Sequence, residues 1–131
     1  MAKSESRPKK PATPRLPADV KSVVAAALDK KALDVVVLDL RKASAFTDFF
    51  VICTGGNVRQ VKAIADSIEE ALRAKGLKPA LTEGYNRGDW VLIDYFDFIV
   101  HIFSPHTREF YGLERLWGDA KRIEIPSPSA T

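Results

Sequence analysis

Asp48-Phe49-Phe50-Val51-Ile52-Cys53-Thr54, followed by Gly55-Gly56-Asn57 (DFFVICT-GGN), is the stretch that decides the fold. Its first seven residues are short, rich in aromatic and β-branched side chains, and almost without polar alternation. Such a strand is covered on both faces, which places it in the interior of a sheet with layers packed on both sides. Gly55-Gly56 breaks it. Asn57 is an N-cap residue, and Gln60, three positions on, is its capping-box partner, so a long helix begins at once. Val61, Ile64, Ala65, Ile68 and Leu72 recur at helical spacing as the inner stripe, and Gly76 supplies the C′ stop.

Reading outward, Asp34–Leu40 (DVVVLDL) is a second β-branched strand. Before it a helix is predicted from about Asp19 to Lys31, with Asp19 as N-cap and Val20, Val23, Val24, Ala27 and Leu28 as one apolar stripe. Downstream, Leu77–Glu83 is a weak strand. Trp90–Asp94 and Phe98–Phe103 are strong ones, joined so tightly that they form a hairpin. Ser104 and Pro105 suit the N-cap and N1 of a further helix, with Phe110, Leu113 and Leu116 spaced for its inner face. Ile123–Ile125 offers a short final strand. The order α, β, β, α, β, β, β, α predicts an α/β (mixed α+β) class, with a mixed sheet of about five strands and flanking helices.

Composition sets the frame. The 131 residues are enough for one domain, and 46% hydrophobic with 28% charged is ordinary for a globular chain. No apolar run approaches the ~20 residues of a membrane helix, and no secretory core precedes the domain. The single Cys53 has no partner for a disulfide, which points to a reducing compartment and so to the cytoplasm. Residues 1–17 hold Lys3, Arg7, Lys9, Lys10 and Arg15 against Glu5, a net +4 out of +3 for the whole chain. The remainder is therefore −1, which argues against a domain built to grip nucleic acid. Pro8, Pro11, Pro14 and Pro17 and the near absence of apolar residues make 1–17 a disordered basic tail. The prolines also oppose the amphipathic helix of an organellar transit peptide. That tail is suited to weak contact with RNA phosphates. The domain spans 18–125, and 126–131 is a loose C-terminal tail.

No catalytic constellation emerges, and no metal or cofactor site. A nucleotidyltransferase needs two carboxylates at i, i+2 on one strand face to hold divalent metal. Asp34 and Asp39 are five apart, and Asp94 and Asp97 flank a turn. The Gly55-Gly56-Asn57 turn reads as a tight, capped connection rather than an anion cradle. His101 sits mid-strand in an apolar run, as a satisfied, half-buried residue. His106 sits in a first helical turn, with no H-E-x-x-H spacing. Cys53 is a small core hydrophobe.

Five segments, in order and in register, resemble the ribosomal silencing factor family, also called the Iojap family. They are Thr47–Gly55 (TDFFVICTG), Arg59–Asp66 (RQVKAIAD), Glu83-Gly84 with Trp90–Asp94 (WVLID), Asp97–Phe103 (DFIVHIF) and Arg108–Ala120 (REFYGLERLWGDA). The resemblance covers roughly residues 20–120. It implies a mixed α/β fold related to nucleotidyltransferases but without their catalytic carboxylates. It implies a non-enzymatic protein that binds the fourteenth large-subunit ribosomal protein, blocks joining of the small subunit and represses translation when nutrients are short. It places Trp90, Tyr111, Leu113 and Glu114 on the docking surface, with Trp90 and Tyr111 as anchors and Glu114 meeting a basic residue. One departure is visible. The family carries glycine immediately before the second hairpin aspartate, where this chain has Phe96; a turn that needs positive φ there would strain it. A hairpin edge with exposed aromatics would permit a homodimer. Two rival readings stand beside this one: a nucleotide-binding enzyme of the same fold, and an interaction module such as a large-subunit assembly factor.

Overall fold

The computed structural model describes residues 16–43 and 45–126. Most of the basic segment 1–17 and of the segment 126–131 lies outside the described residues. The elements are α1 (Ala18–Asp29), β1 (Leu33–Asp39), β2 (Phe49–Thr54), α2 (Val58–Arg73), β3 (Leu81–Glu83), β4 (Trp90–Asp94), β5 (Phe98–Phe103), α3 (Pro105–Tyr111), α4 (Leu113–Leu116) and β6 (Lys121–Glu124).

The sheet has six strands rather than about five, in the order β3-β4-β5-β2-β1-β6. The sixth is β6, the short final strand offered at Ile123–Ile125 but shifted to start at Lys121, and its backbone pairs antiparallel with β1 from Val36↔Glu124 to Asp39↔Lys121. Its residues are mostly charged and only Ile123 is buried, so its apolar signal is weak. β2 and β5 are parallel, Phe49 beside Phe98 through Thr54 beside Phe103, and every other pair is antiparallel. A parallel neighbour needs a crossover. Here α2, β3 and β4 provide it.

All six residues of β2 are buried, as its composition predicts. Phe49, Val51 and Cys53 join the core beneath α1 and α2, where Val23, Ile64, Ile68 and Leu72 meet them. Phe50 and Ile52 face the other way, into a second cluster with Val36, Leu38, Ile99 and Phe103. Each fully buried aliphatic side chain contributes about 1.5–3 kcal/mol relative to exposure, so the first layer carries most of the stability. The second face has no long helix. The chain after β1 (Ala43, Ala45), together with Leu113, Trp117 and Ala120, packs over it.

Caps fix the helix ends. Asn57 accepts the Gln60 N–H at 2.8 Å, and Gln60 Oε1 accepts the Gly56 N–H at 2.6 Å. The same Gln60 amide donates to the carbonyls of Lys30 and Lys31, which ties the end of α1 to the start of α2. Past α2, the Leu77 N–H reaches the Leu72 carbonyl and Gly76 takes φ +86, the left-handed C′ stop the sequence predicts. α1 differs from expectation. Its N-cap is Pro17, whose carbonyl accepts the Lys21 N–H, and no side chain caps it. Asp19 instead lies inside the first turn and pairs with Lys75 at 2.8 Å, where the helix dipole also favours its charge.

Two further differences matter for function. The helix expected after Ser104 is broken at Gly112, which takes φ +53. The break resets the periodicity, so Phe110 (69% exposed) and Leu116 (73%) face outward, while Leu113 and Trp117 pack on the sheet. In the β4–β5 turn, Phe96 itself takes the left-handed conformation, at φ +73, which costs a non-glycine residue ~1 kcal/mol or more.

Candidate functional site

The site is built where β4 begins, β5 ends and α3 starts. Ser104 caps α3 through its hydroxyl to the Thr107 N–H, with Pro105 at N1, as its sequence predicts. This brings α3 back across the mouth of the sheet. Trp90 opens β4 opposite Phe103, with Leu92 and Asp94 on its own face and Val91 and Ile93 buried on the other. Gly84, at φ +82, lies so close to the Trp90 carbonyl that a β-carbon there would collide with it. Glycine is therefore required for the chain to pass Trp90.

A run of stacked rings leads from the surface inward. Phe110 meets Tyr111 edge-on at 5.0 Å, and Tyr111 tilts against Trp90 at 4.7 Å between ring centroids. Trp90 lies 5.0 Å from Phe103 and 6.0 Å from His101. His101 meets Phe50 edge-on at 4.6 Å, and Phe50 meets Trp117 at 5.9 Å. Pairs at such spacings contribute about 0.5–1.5 kcal/mol each beyond their buried area.

One hydrogen bond orients the run. The Trp90 indole N–H donates to His101 Nδ1 at 3.1 Å. Burial pushes the His101 pKa down to about 4, so the ring is neutral at physiological pH. With Nδ1 accepting, the proton sits on Nε2, which is buried without a hydrogen-bond partner among the described residues. His101 is thus more deeply buried than its sequence setting suggests, and it serves as the acceptor beneath Trp90.

A second network anchors α3 and α4. Arg108 donates to the Asp34 carbonyl at 2.6 Å, to Thr54 Oγ1 at 3.0 Å and to Glu114 at 2.7 and 3.4 Å. Arg122 on β6 approaches the same carboxylate at 3.5 Å. Arg108 and Glu114 side chains are only 12% and 15% exposed. Burial pushes the Glu114 carboxyl up, and the hydrogen bonds and charge of Arg108, with Arg122, more than offset this, leaving it below the usual range. Asp34, at φ +49, forms the irregularity in β1 that turns its carbonyl to Arg108.

The structure thus brings Trp90 and Tyr111 into direct contact, while Leu113 packs on the second face of the sheet. Glu114 stands apart, shared between two arginines. Arg108 was not singled out by the sequence. Its partner lies six residues on across a helix break, and its other acceptors are on β1 and β2, so no local spacing marks it. At Gly55-Gly56, both amides are already taken, by the Phe103 carbonyl and by Gln60. Among the described residues, no three His, Cys, Asp or Glu side chains gather as a metal site, and no helix is long and apolar enough to cross a membrane.

A mixed sheet sealed by helices on one side and ending in an exposed aromatic rim on the other defines a mixed α/β domain. The family model described as "Ribosomal silencing factor during starvation" matches residues 13–131, and the chain belongs to that family. It is 43% identical over 97 residues to the ribosomal silencing factor of Halalkalibacterium halodurans, covering 74% of this chain and 83% of that one. A crystal structure of a Chromobacterium violaceum protein superposes with a TM-score of 0.75 at 33% identity, covering 84% and 92% of the two chains. A more distant relative, 28% identical over 102 residues (76% of this chain and 45% of that one), is the mouse mitochondrial assembly of ribosomal large subunit protein 1.

Proposed function

We propose that this protein docks on the large ribosomal subunit through the fourteenth large-subunit ribosomal protein and keeps the small subunit from joining, so that translation falls when nutrients are short. Family membership supports the reading, and the observation that carries it to particular residues is the Trp90–Tyr111 pair. The pair is preorganised by His101, and Tyr111 is half exposed. Tryptophan and tyrosine bury large area at small entropic cost, which is why they anchor interfaces. Leu113, seated on the second face of the sheet, borders the docking surface. Glu114 holds the α3–α4 segment through Arg108 and offers its remaining lone pairs to a basic group of the partner.

The mechanism needs affinity and excluded volume, not a reacting group. A standard interface buries roughly 1,600 Å² in total, within reach of a domain this size. The proposed place of action is the ribosome in the cytoplasm, with the basic tail lying on nearby RNA phosphates. The test is co-sedimentation of the full chain with separated large subunits, small subunits and joined ribosomes. Binding to large subunits alone, with joined ribosomes declining as protein is added, is the expected result. Absence of enrichment on large subunits at micromolar protein refutes it. The name of the mouse relative favours a second reading in large-subunit assembly. That role would show as binding to immature large particles with no decline in joined ribosomes.

A further inference from the structure

The β4–β5 turn holds a strained phenylalanine whose side chain lies outside both core clusters. Phe96 takes φ +73, and its ring is 75% exposed. It is the middle of a three-residue turn: the Asp97 N–H donates to the Tyr95 carbonyl at 2.9 Å, and Asp94 Oδ1 accepts the Phe96 N–H at 2.8 Å. Glycine would hold the same turn without the steric penalty. The turn is clamped to the segment before β2. The Thr47 hydroxyl donates to the Phe96 carbonyl at 2.7 Å, and the Asp48 N–H donates to the Asp97 carbonyl at 3.0 Å. Phe46, 77% exposed, directly precedes Thr47, so the clamp holds its backbone beside the same tip. Phe46 and Phe96 are the two most exposed large apolar side chains among the described residues.

Every charged residue within two positions of either phenylalanine in the chain is acidic. Asp94 and Asp97 flank Phe96, and Asp48 follows Phe46 by two residues. Arg41, the cation that approaches Asp48, is committed to Asp39 by bonds of 2.8 and 3.0 Å. Its guanidinium already lies over the Phe49 ring, 5.0 Å from the centroid, so an arginine on a phenylalanine face is a geometry this region accepts. The tip is also separate from Trp90. Trp90 pairs with Phe103 at one end of β5 and the turn lies at the other, a strand length of roughly 20 Å away.

We propose that this aromatic, acidic tip is a second docking surface, and that it takes an arginine- or lysine-bearing protein segment. The cations lie on the rings of Phe46 and Phe96 and are neutralised by Asp48 and Asp97. The carboxylates repel a phosphate backbone, which favours a protein over a nucleic acid. The assignment does not depend on where Trp90 and Tyr111 dock.

The test uses the full chain, 15N-labelled, with a hexa-arginine peptide as probe. Amide shifts confined to residues 46–48 and 94–98 are expected. Phe96→Gly should weaken the peptide about fivefold while raising Tm by about 4 °C, a combination that loss of structure cannot produce. Asp97→Asn should weaken it about threefold and flatten its salt dependence. Shifts scattered over every acidic surface, or unchanged binding by Phe96→Gly, overturn the proposal.

Discussion

Replacing Arg108 with methionine keeps the aliphatic stem and removes the hydrogen bonds to the Asp34 carbonyl, Thr54 and Glu114. Breaking one side of a buried ion pair costs about 3–5 kcal/mol. Glu114 keeps Arg122 at 3.5 Å and some access to water, so the lower end applies, about 3 kcal/mol. For a domain of this size that lowers Tm by about 10 °C or more. The pH dependence has a definite sign. In the wild type the Glu114 pKa is depressed, so its contribution is present at neutral pH and is lost as pH falls through the folded pKa. In Arg108→Met burial dominates and raises the pKa, so the carboxylate destabilises at neutral pH and is relieved by protonation. The gap between variant and wild type should therefore narrow from pH 7 to pH 4 in thermal melts followed by circular dichroism. A variant melting within about 2 °C of wild type at pH 7, or a gap that widens in acid, would refute this account of the network.

Other outcomes follow from the same geometry. Trp90→Ala and Tyr111→Ala should remain folded yet bind large subunits about thirtyfold more weakly, as a loss of ~2 kcal/mol requires; sedimentation titration checks this, and wild-type affinity in both would remove the anchors. His101, held neutral with its pKa pushed down to about 4, should make stability fall as pH drops from about 6.5 to 4. The total is up to about 3 kcal/mol, and His101→Gln should abolish that slope in urea titrations at stepped pH. Cys53, buried with its thiol pushed up to about 12, should resist an aromatic disulfide reagent in the native protein and react only after denaturation. Rapid native labelling would contradict its place in β2.

What the sequence made legible was periodic or locally capped. β2, the stripe and cap of α2, the β4–β5 hairpin and the Ser104 cap all rest on neighbours within a few positions, and all stand in the structure. Alternation along Trp90–Asp94 separates two faces without saying what Trp90 does there, and only the resemblance gave it a docking role. What was illegible depends on distant partners or on one backbone angle. Gly112 gave no sign that it would break a helix, so Phe110 and Leu116 read as core. The short final strand offered at Ile123–Ile125 does form, but its start at Lys121 is set by pairing with β1 and not by its charged residues. His101 and Arg108 gain their roles from rings and carbonyls far away in the chain. Asp19 looked like a cap, and an ion pair with Lys75 claimed it instead.

The pairing of β1 with β6 also has a temporal meaning. β1 is among the first elements made and β6 among the last, so one edge of the forming sheet stays open through most of synthesis. Val36, Val37 and Leu38 lie along that open edge, and unpaired apolar strand edges recruit other chains. Completing the sheet also delivers Arg122 to Glu114, so the closing strand both shields the edge and joins the network that anchors α3 and α4. A chain cut short just before Lys121 would be expected to enter aggregates before it showed any weakness in binding.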